Sequence, residues 1–285
     1  MTRFRGPPLH APFNLANVLH KGLSERPDAA AVITMDDTLS WRELDRQSDC
    51  LAKNYTALGL RAGDRVATLM PNRTALIVHH LACLKASLIS TPLNYRYTAS
   101  EIDHALEVAE PSLLIHHAER DADIAATARA RGLPFGTLRY GAQEAGSQQA
   151  GAREAAPQTQ RPLEPLLVSA PQVALPPIKP SSPLFIFFTS GSTGPAKGVT
   201  HTVETVGFWL VNLREGLGLR EDDIIMTTTS HSYVGGTSFA LLAFSLGVPL
   251  VMARTNEGAE VFPLMRKARP TITWMLPSTL FALIT

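Results

Sequence analysis

The chain has 285 residues, 45% of them hydrophobic, with 26 Lys and Arg against 25 Asp and Glu for a formal net charge of +1. That is enough apolar material for a large buried core in one or two domains. The near-neutral balance, without a basic cluster, offers no field for nucleic acid or an anionic membrane surface.

Cys50 and Cys83 are the only cysteines and fall in separate apolar-periodic segments, which predicts reduced core thiols. His79-His80 and His116-His117 are adjacent pairs. Adjacent side chains on a helix point apart, so neither pair predicts a metal site. The N-terminal residues lack the apolar core of a signal peptide. Residues 224–253 contain no Asp, Glu, Lys or Arg, but polar residues and glycines break them into pieces. The continuous apolar part, residues 237–246, is too short to span a bilayer, so no integral membrane segment is expected. A soluble, cytoplasmic protein is the expectation.

In chain order, Ser40 and Glu43 form a capping-box pattern that starts a helix. Trp41, Leu44, Leu51, Tyr55 and Leu58 share one face of it, and Gly59 supplies a left-handed stop. A strand follows at 65–70 and is halted by Pro71-Asn72; then come a helix near 74–87 and a strand at 88–91 ending at Pro92. Residues 112–116 read as a strand and 121–131 as an Ala/Arg-rich helix. From 141 to 183 the chain is rich in Gln, Ala, Pro and Gly, which excludes a long helix and predicts a partly ordered connector.

Leu184-Phe185-Ile186-Phe187-Phe188 is wholly apolar and reads as a buried strand. Further on, Val203, Val206, Leu210, Leu213 and Leu217 line one face of a helix that closes at Gly218. Strands at 224–227, 248–252 and 271–273 and a helix at 237–245 complete the pattern. Gly59-Leu60-Arg61 with Asp64 has the same internal spacing as Gly218-Leu219-Arg220 with Asp223. Convergent turn chemistry and a pair of similar α/β units both account for this. Alternating strands and helices predict an α/β fold of two similar doubly wound subdomains: 12–140, a connector at 141–183, and 184–285.

The chemistry concentrates in Thr189-Ser190-Gly191-Ser192-Thr193-Gly194-Pro195-Ala196-Lys197-Gly198. Glycines let backbone N–H groups turn inward toward a ligand, hydroxyls add donors, and a lysine supplies a point charge for phosphate oxygens. A flexible surface turn fits poorly, because the loop leaves a five-residue apolar strand and holds its lysine between Ala196 and Gly198. A Walker-type loop requires Gly before the lysine and Ser or Thr after it, so that reading fails.

The stretch closely resembles the phosphate-binding signature of the adenylate-forming enzymes, which include acyl-CoA synthetases, aryl-CoA ligases, luciferases and peptide-synthetase adenylation domains. The usual pattern is Thr-Ser-Gly-Ser/Thr-Thr-Gly, a variable residue, then Pro-Lys-Gly; here the proline stands one place early, at Pro195. Leu39-Ser40-Trp41-Arg42-Glu43-Leu44, Gly63-Asp64-Arg65-Val66-Ala67 and Thr91-Pro92-Leu93-Asn94 also resemble scaffold segments of that family. Trp274-Met275-Leu276-Pro277-Ser278 resembles the strand and turn preceding its nucleotide site, in a structural role.

The resemblance implies the large N-terminal domain of these enzymes, incomplete at the C-terminus. It implies ATP, Mg²⁺ and CoA, and a small carboxylic acid as substrate. The acid attacks the α-phosphate of ATP to give acyl-AMP and pyrophosphate, and a thiol, usually CoA, displaces AMP. Phosphate binding then falls to Thr189, Ser190, Gly191, Ser192, Thr193, Gly194, Lys197 and Gly198. His231, Tyr233, Gly235 and Gly236 become substrate-proximal. Two bland alternatives stay open: a locally hydrogen-bonded His231, and a closely packed helix start at Gly235-Gly236. No complete catalytic set and no metal ligands are assigned. The family's aromatic-Gly-x-Thr-Glu motif, its Thr-Gly-Asp segment and its small lysine-bearing domain are not found in these 285 residues. Little or no adenylation by this polypeptide alone is therefore expected, to be checked by pyrophosphate exchange with a panel of acids. A chain completed by a separate C-terminal partner and a non-catalytic nucleotide-binding module are the other readings.

Overall fold

A computed structural model describes residues 11–141, 160–189 and 196–284 of the chain. After α1 (His20–Glu25) come β1 (Ala30–Ile33), β2 (Thr38–Ser40), α2 (Trp41–Ala57), β3 (Arg65–Leu69), α3 (Thr74–Lys85), β4 (Ile89–Pro92) and α4 (Ala99–Ala109). Next are β5 (Leu113–His117), α5 (Asp121–Ala126), β6 (Thr137–Tyr140), β7 (Gln160–Pro162), α6 (Glu164–Val168), β8 (Pro183–Thr189) and β9 (Lys197–Thr202). The chain continues through α7 (Val203–Leu217), β10 (Ile225–Thr227), α8 (Val234–Leu246), β11 (Leu250–Met252), α9 (Gly258–Ala268), β12 (Ile272–Trp274) and α10 (Pro277–Ile284).

Two sheets result. One has seven strands in the order β7-β6-β5-β3-β4-β8-β9, the other five in the order β12-β10-β11-β1-β2. Each is parallel except for one antiparallel hairpin at an edge, β8–β9 in the first and β1–β2 in the second. The α/β class and the pair of similar units are as expected. The sheets are not built from contiguous halves, however. β1 pairs with β11, with Val32 opposite Leu250, while β8 pairs with β4, with Ser90 opposite Phe185. The chain thus exchanges a hairpin in each direction across the connector. Short apolar strands carry no mark of which sheet they join; that is decided by long-range pairing.

Local signals explain most elements. Ser40 Oγ accepts from the Glu43 N–H at 3.2 Å while Glu43 Oε2 accepts from the Ser40 N–H at 2.8 Å, a complete capping box at the start of α2. Its buried residues Trp41, Leu44, Ser48, Leu51, Ala52 and Tyr55 form one stripe. The same reciprocal pair, Thr98 and Glu101, starts α4, an element whose signal the pattern of apolar residues alone passes over. Gly218 holds φ 60°, left-handed, and ends α7. Along β3, Val66 faces the larger core and Ala67 and Leu69 the cluster under α4. Both faces of the seven-stranded sheet are therefore covered at its centre, in keeping with the full burial of β4 and β5 and the apolar run of β8.

Two expectations need correction, and the partly ordered connector gains definite elements. The helix expected over 121–131 stops at Ala126, because Thr127 turns extended and its hydroxyl donates to the Asp123 carbonyl at 2.8 Å. Asp103 then accepts from the N–H groups of Ala128 and Arg129, and only a 3-10 turn follows at Arg129–Gly132. The element after the glycine loop is strand β9 and not a helix, since Thr189 pairs with Lys197 and Phe187 with Val199 in a hairpin. The connector also contributes structure: β7 extends the seven-stranded sheet, and α6 docks on α2, where Asn54 Nδ2 donates to the carbonyls of Leu166 and Ser169 at 3.0 and 2.7 Å. Leu163 and Leu167 bury themselves there and supply the apolar area that a linker would lack.

No helix among the described residues is long and apolar enough to cross a membrane. Both cysteines are free thiols.

Candidate functional site

Parallel strands of both sheets end on the same side of a cleft, the position at which open α/β sheets hold their ligands. A cavity of about 520 Å³ lies there. Its walls come from Pro71-Asn72 after β3, Asn94 to Arg96 after β4, Thr228 to Ser230 after β10, and Arg254 to Asn256 after β11. Tyr233, Gly235 and Gly236, at the start of α8, close another side. Gly236 is required for this packing: a Cβ there would stand 2.5 Å from the Ser230 carbonyl oxygen.

The cleft is tied across the two sheets by Asn72. This buried side chain donates to the carbonyls of Thr229 and Ala253 at 3.1 and 2.9 Å and accepts from the His231 N–H at 2.9 Å. Three polar groups in two segments, the turn after β10 and the end of β11, are thereby satisfied by one amide. A second tie is ionic. Glu119 pairs with Arg73 at 3.5 Å and Arg254 at 2.7 Å, while Arg73 also meets Asp36 and Arg254 meets Glu260. Burial pushes the Glu119 carboxyl up, but the Tyr95 hydroxyl and the neighbouring cations outweigh it and hold the carboxyl below its ordinary range. Asp36, Arg73, Arg254 and Glu260 of this network line a second cavity of about 450 Å³ that shares Asn72 and Arg254 with the first.

His231 is fully buried. Its carbonyl accepts from the Thr237 hydroxyl at 2.7 Å and from His80 Nε2 at 3.3 Å, whereas neither ring nitrogen has a partner among the described residues. Burial, with His80 as a minor contribution, lowers its pKa to about 3, so the ring is neutral at pH 7. The substrate-proximal set therefore divides: Tyr233, Gly235 and Gly236 are on the cavity wall, and the His231 ring sits behind it in the core.

Of the phosphate-type loop, Ser190, Gly191, Ser192, Thr193, Gly194 and Pro195 lie outside the described residues. Its two ends are set by the β8–β9 hairpin. Thr189 and Lys197 face each other in register and are exposed. Next to Lys197, the Ala196 carbonyl accepts from His104 Nε2 at 3.1 Å, which anchors the loop's exit to α4. The Lys197 ammonium meets no carboxylate among the described residues, so a hydroxyl and a free cation stand at the loop's mouth, a donor pair suited to phosphate oxygens. For Mg²⁺ the described residues contain no group of three or more His, Cys, Asp or Glu able to hold a metal ion.

His104, Asn72 and the Glu119 network are not signalled by any spacing in the sequence. Pro71-Asn72 marks only the end of a strand.

A parallel α/β cleft with a glycine- and hydroxyl-rich hairpin loop defines a ligand-binding domain of the nucleotide-handling kind. The family model for AMP-binding enzymes matches residues 19–285, and the chain belongs to that family. It is 29% identical over 255 residues to a feruloyl-CoA synthase of Amycolatopsis sp, covering 88% of this chain and 46% of that protein. It is 26% identical over 258 residues to the long-chain-fatty-acid–CoA ligase FadD13 of Mycobacterium tuberculosis (strain ATCC 25618 / H37Rv), covering 90% of this chain and 48% of the ligase. Among solved structures, the anthranilate CoA ligase AuaEII in complex with anthranoyl-AMP superposes with a TM-score of 0.80 at 20% identity, covering 95% of this chain and 51% of that one. The chain thus spans about half the length of the curated relatives it matches. The expected N-terminal-domain fold of adenylate-forming enzymes is confirmed.

Proposed function

We propose that this chain carries the acid- and phosphate-binding part of an ATP-dependent acyl-CoA ligase. The observation that supports the reading is the exposed Lys197, opposite Thr189 at the mouth of the signature loop and in no ion pair among the described residues. In this reading residues 189–198, with Ser190, Gly191, Ser192, Thr193 and Gly194 as donors and Gly198 at the start of β9 opposite Phe188, cradle the β- and γ-phosphates of ATP. The carboxylic acid occupies the cavity beside Tyr233, Gly235 and Gly236. Its carboxylate oxygen forms a bond to the α-phosphorus as the bond to pyrophosphate breaks, leaving acyl-AMP, and a CoA thiol then takes the acyl group and releases AMP.

The chain's own contribution is positional and electrostatic. Hydroxyl, N–H and ammonium donors at this loop would stabilise the charge that shifts toward the leaving pyrophosphate. The neutral His231 serves no general-base step, since a carboxylate is already a nucleophile; it shapes the wall. The order of subdomains at 12–140 and 184–285, joined by 141–183, is proposed as a division of labour: the β8–β9 hairpin that the second segment lends to the seven-stranded sheet carries the phosphates, and the acid lies between the two sheets.

Titration calorimetry tests the proposal. ATP is expected to bind the wild-type chain, and Lys197→Ala to weaken it about tenfold or more, roughly 1.4 kcal/mol. Unchanged affinity in Lys197→Ala would overturn it.

A second reading, one half of a split ligase, is favoured by one observation. β12 is the outer strand of its sheet, and Trp274, Leu276 and Leu280 beside it are 45%, 45% and 52% exposed. Copurification of a second polypeptide that restores pyrophosphate exchange would select it.

A further inference from the structure

A file of polar groups crosses the core from α2 to the cavity wall. The Tyr55 hydroxyl lies 2.8 Å from His79 Nδ1, and His79 Nε2 lies 3.1 Å from Ser90 Oγ. Ser90 Oγ lies 2.8 Å from His80 Nδ1, and His80 Nε2 lies 3.3 Å from the carbonyl oxygen of His231. All five residues are buried, none more than 2% exposed. Four elements of the fold contribute: α2, α3, β4 and the turn between β10 and α8.

The chemistry allows one direction only. A carbonyl oxygen can only accept, so His80 Nε2 carries the proton. Burial keeps His79 and His80 neutral, so each ring has one N–H and one bare nitrogen. His80 Nδ1 is then bare and accepts the Ser90 O–H. Ser90, its proton committed, accepts from His79 Nε2–H, which leaves His79 Nδ1 to accept from Tyr55. Both tautomers and both hydroxyl rotors follow from the single acceptor at the end of the file.

That acceptor belongs to the segment whose neighbours, Thr228 to Ser230 and Tyr233, line the cavity. The Thr237 hydroxyl fills the carbonyl's second lone pair, and Asn72 takes the N–H of the same residue. The His231 backbone is thus gripped on both sides of its Cα by groups from α3, α8 and the end of β3. Apolar side chains would fill the same volume without specifying where a loop rests, whereas each link here has a direction and a length, with the Cys83 thiol a longer, weaker contact at 3.6 and 3.8 Å from the His79 ring nitrogens.

We infer that His80, its ring held against the His231 carbonyl by the file of Ser90, His79 and Tyr55, is a positioning residue that sets the place of the Thr228–Tyr233 wall of the acid-binding cavity. The importance of that wall rests on the proposed function; the relay itself does not.

The test uses the full chain with ¹⁵N-labelled histidine and no acid or nucleotide. At pH 7.5, long-range ¹H–¹⁵N correlation is expected to show single Nε2–H tautomers for His79 and His80. In Ser90→Ala, His80 is expected to keep Nε2–H against the His231 carbonyl, while His79, deprived of the acceptor for its Nε2–H, is expected to lose its single tautomer. Amide hydrogen exchange at His231 and Ser232 is expected to speed up about tenfold or more relative to the β5 amides Leu113–His117, since one lost link of ~1.4 kcal/mol is a factor of ten. Ser90→Thr, which keeps the hydroxyl, is expected to restore both. An Nδ1–H or mixed tautomer at His80 in the wild-type chain would overturn the inference without any variant. So would exchange that rises equally at β5 and His231 in Ser90→Ala, or rises at neither. Failure here leaves the ATP titration untouched, and failure of that titration leaves the relay standing.

Discussion

Asn72→Ala is expected to destabilise the chain by about 2–4 kcal/mol, because it strands three polar groups whose individual penalties run about 1–3 kcal/mol and only part can be recovered by water. The groups are the carbonyls of Thr229 and Ala253 and the N–H of His231, two of them in contacts closed to solvent. The cavity beside Asn72 admits water on one side, which is why the expected loss stays below the full sum. Asn72→Asp is expected to be at least as damaging: it retains the acceptor for His231 but sets a carboxylate against two carbonyl oxygens. Urea unfolding of both variants checks this. A change under about 0.5 kcal/mol in Asn72→Ala, the range of ordinary surface substitutions, would show that the clamp is dispensable.

The second large effect is acid lability between pH 6.5 and 4. His80 and His231 have folded pKa values lowered by burial to about 4 and about 3. Above pH 6.5 both are neutral whether folded or unfolded, and their contribution to stability is intact. Below it the unfolded chain takes up protons that the folded core refuses, so stability falls as pH falls toward the folded values. For a histidine with an ordinary unfolded pKa, lowering the pH from 7 to 5 removes about 2 kcal/mol, so these two together account for about 4 kcal/mol. Carboxylates held below their ordinary range, such as Asp49 beside Lys85, lose their contribution only at lower pH. Urea midpoints at pH 7, 6 and 5 measure the effect. A flat profile would mean that the core admits the charged imidazoles.

The two expectations bear on the same place. Acid that protonates His80 removes the bare Nδ1 that Ser90 needs, so the wall of the cavity and the stability of the core share a titrating group.

Much of the fold was legible because its signals are local. The capping box at Ser40 and Glu43, the apolar stripe of α2, the stop at Gly218 and the breaks at Pro71 and Gly247 each involve residues a few positions apart. The signature at 189–198 is also local, and with the family resemblance it pointed to the class of protein that the family match then established. Where local reading failed, a distant partner intervened. Residues 197–202 are a strand because Phe187 and Ile186 pair with Val199 and Thr200. Residues 127–132 leave the helix because Asp103, on another helix, takes their N–H groups.

The amino-acid sequence by itself determined the α/β alternation, the element boundaries set by caps and prolines, and the phosphate-type chemistry of one loop. Only the tertiary structure decided which sheet each hairpin joins, and that His231 turns its ring into the core while Tyr233 faces the cavity. It also decided that Asn72 and His80 hold the cleft. The reason is separation: His80 meets His231 across 151 positions and Asn72 meets Ala253 across 181. Hydrophobic periodicity states that a residue is buried, but a hydrogen-bond partner so far along the chain is chosen only when the sheets have formed and brought the side chain within hydrogen-bond reach of that backbone.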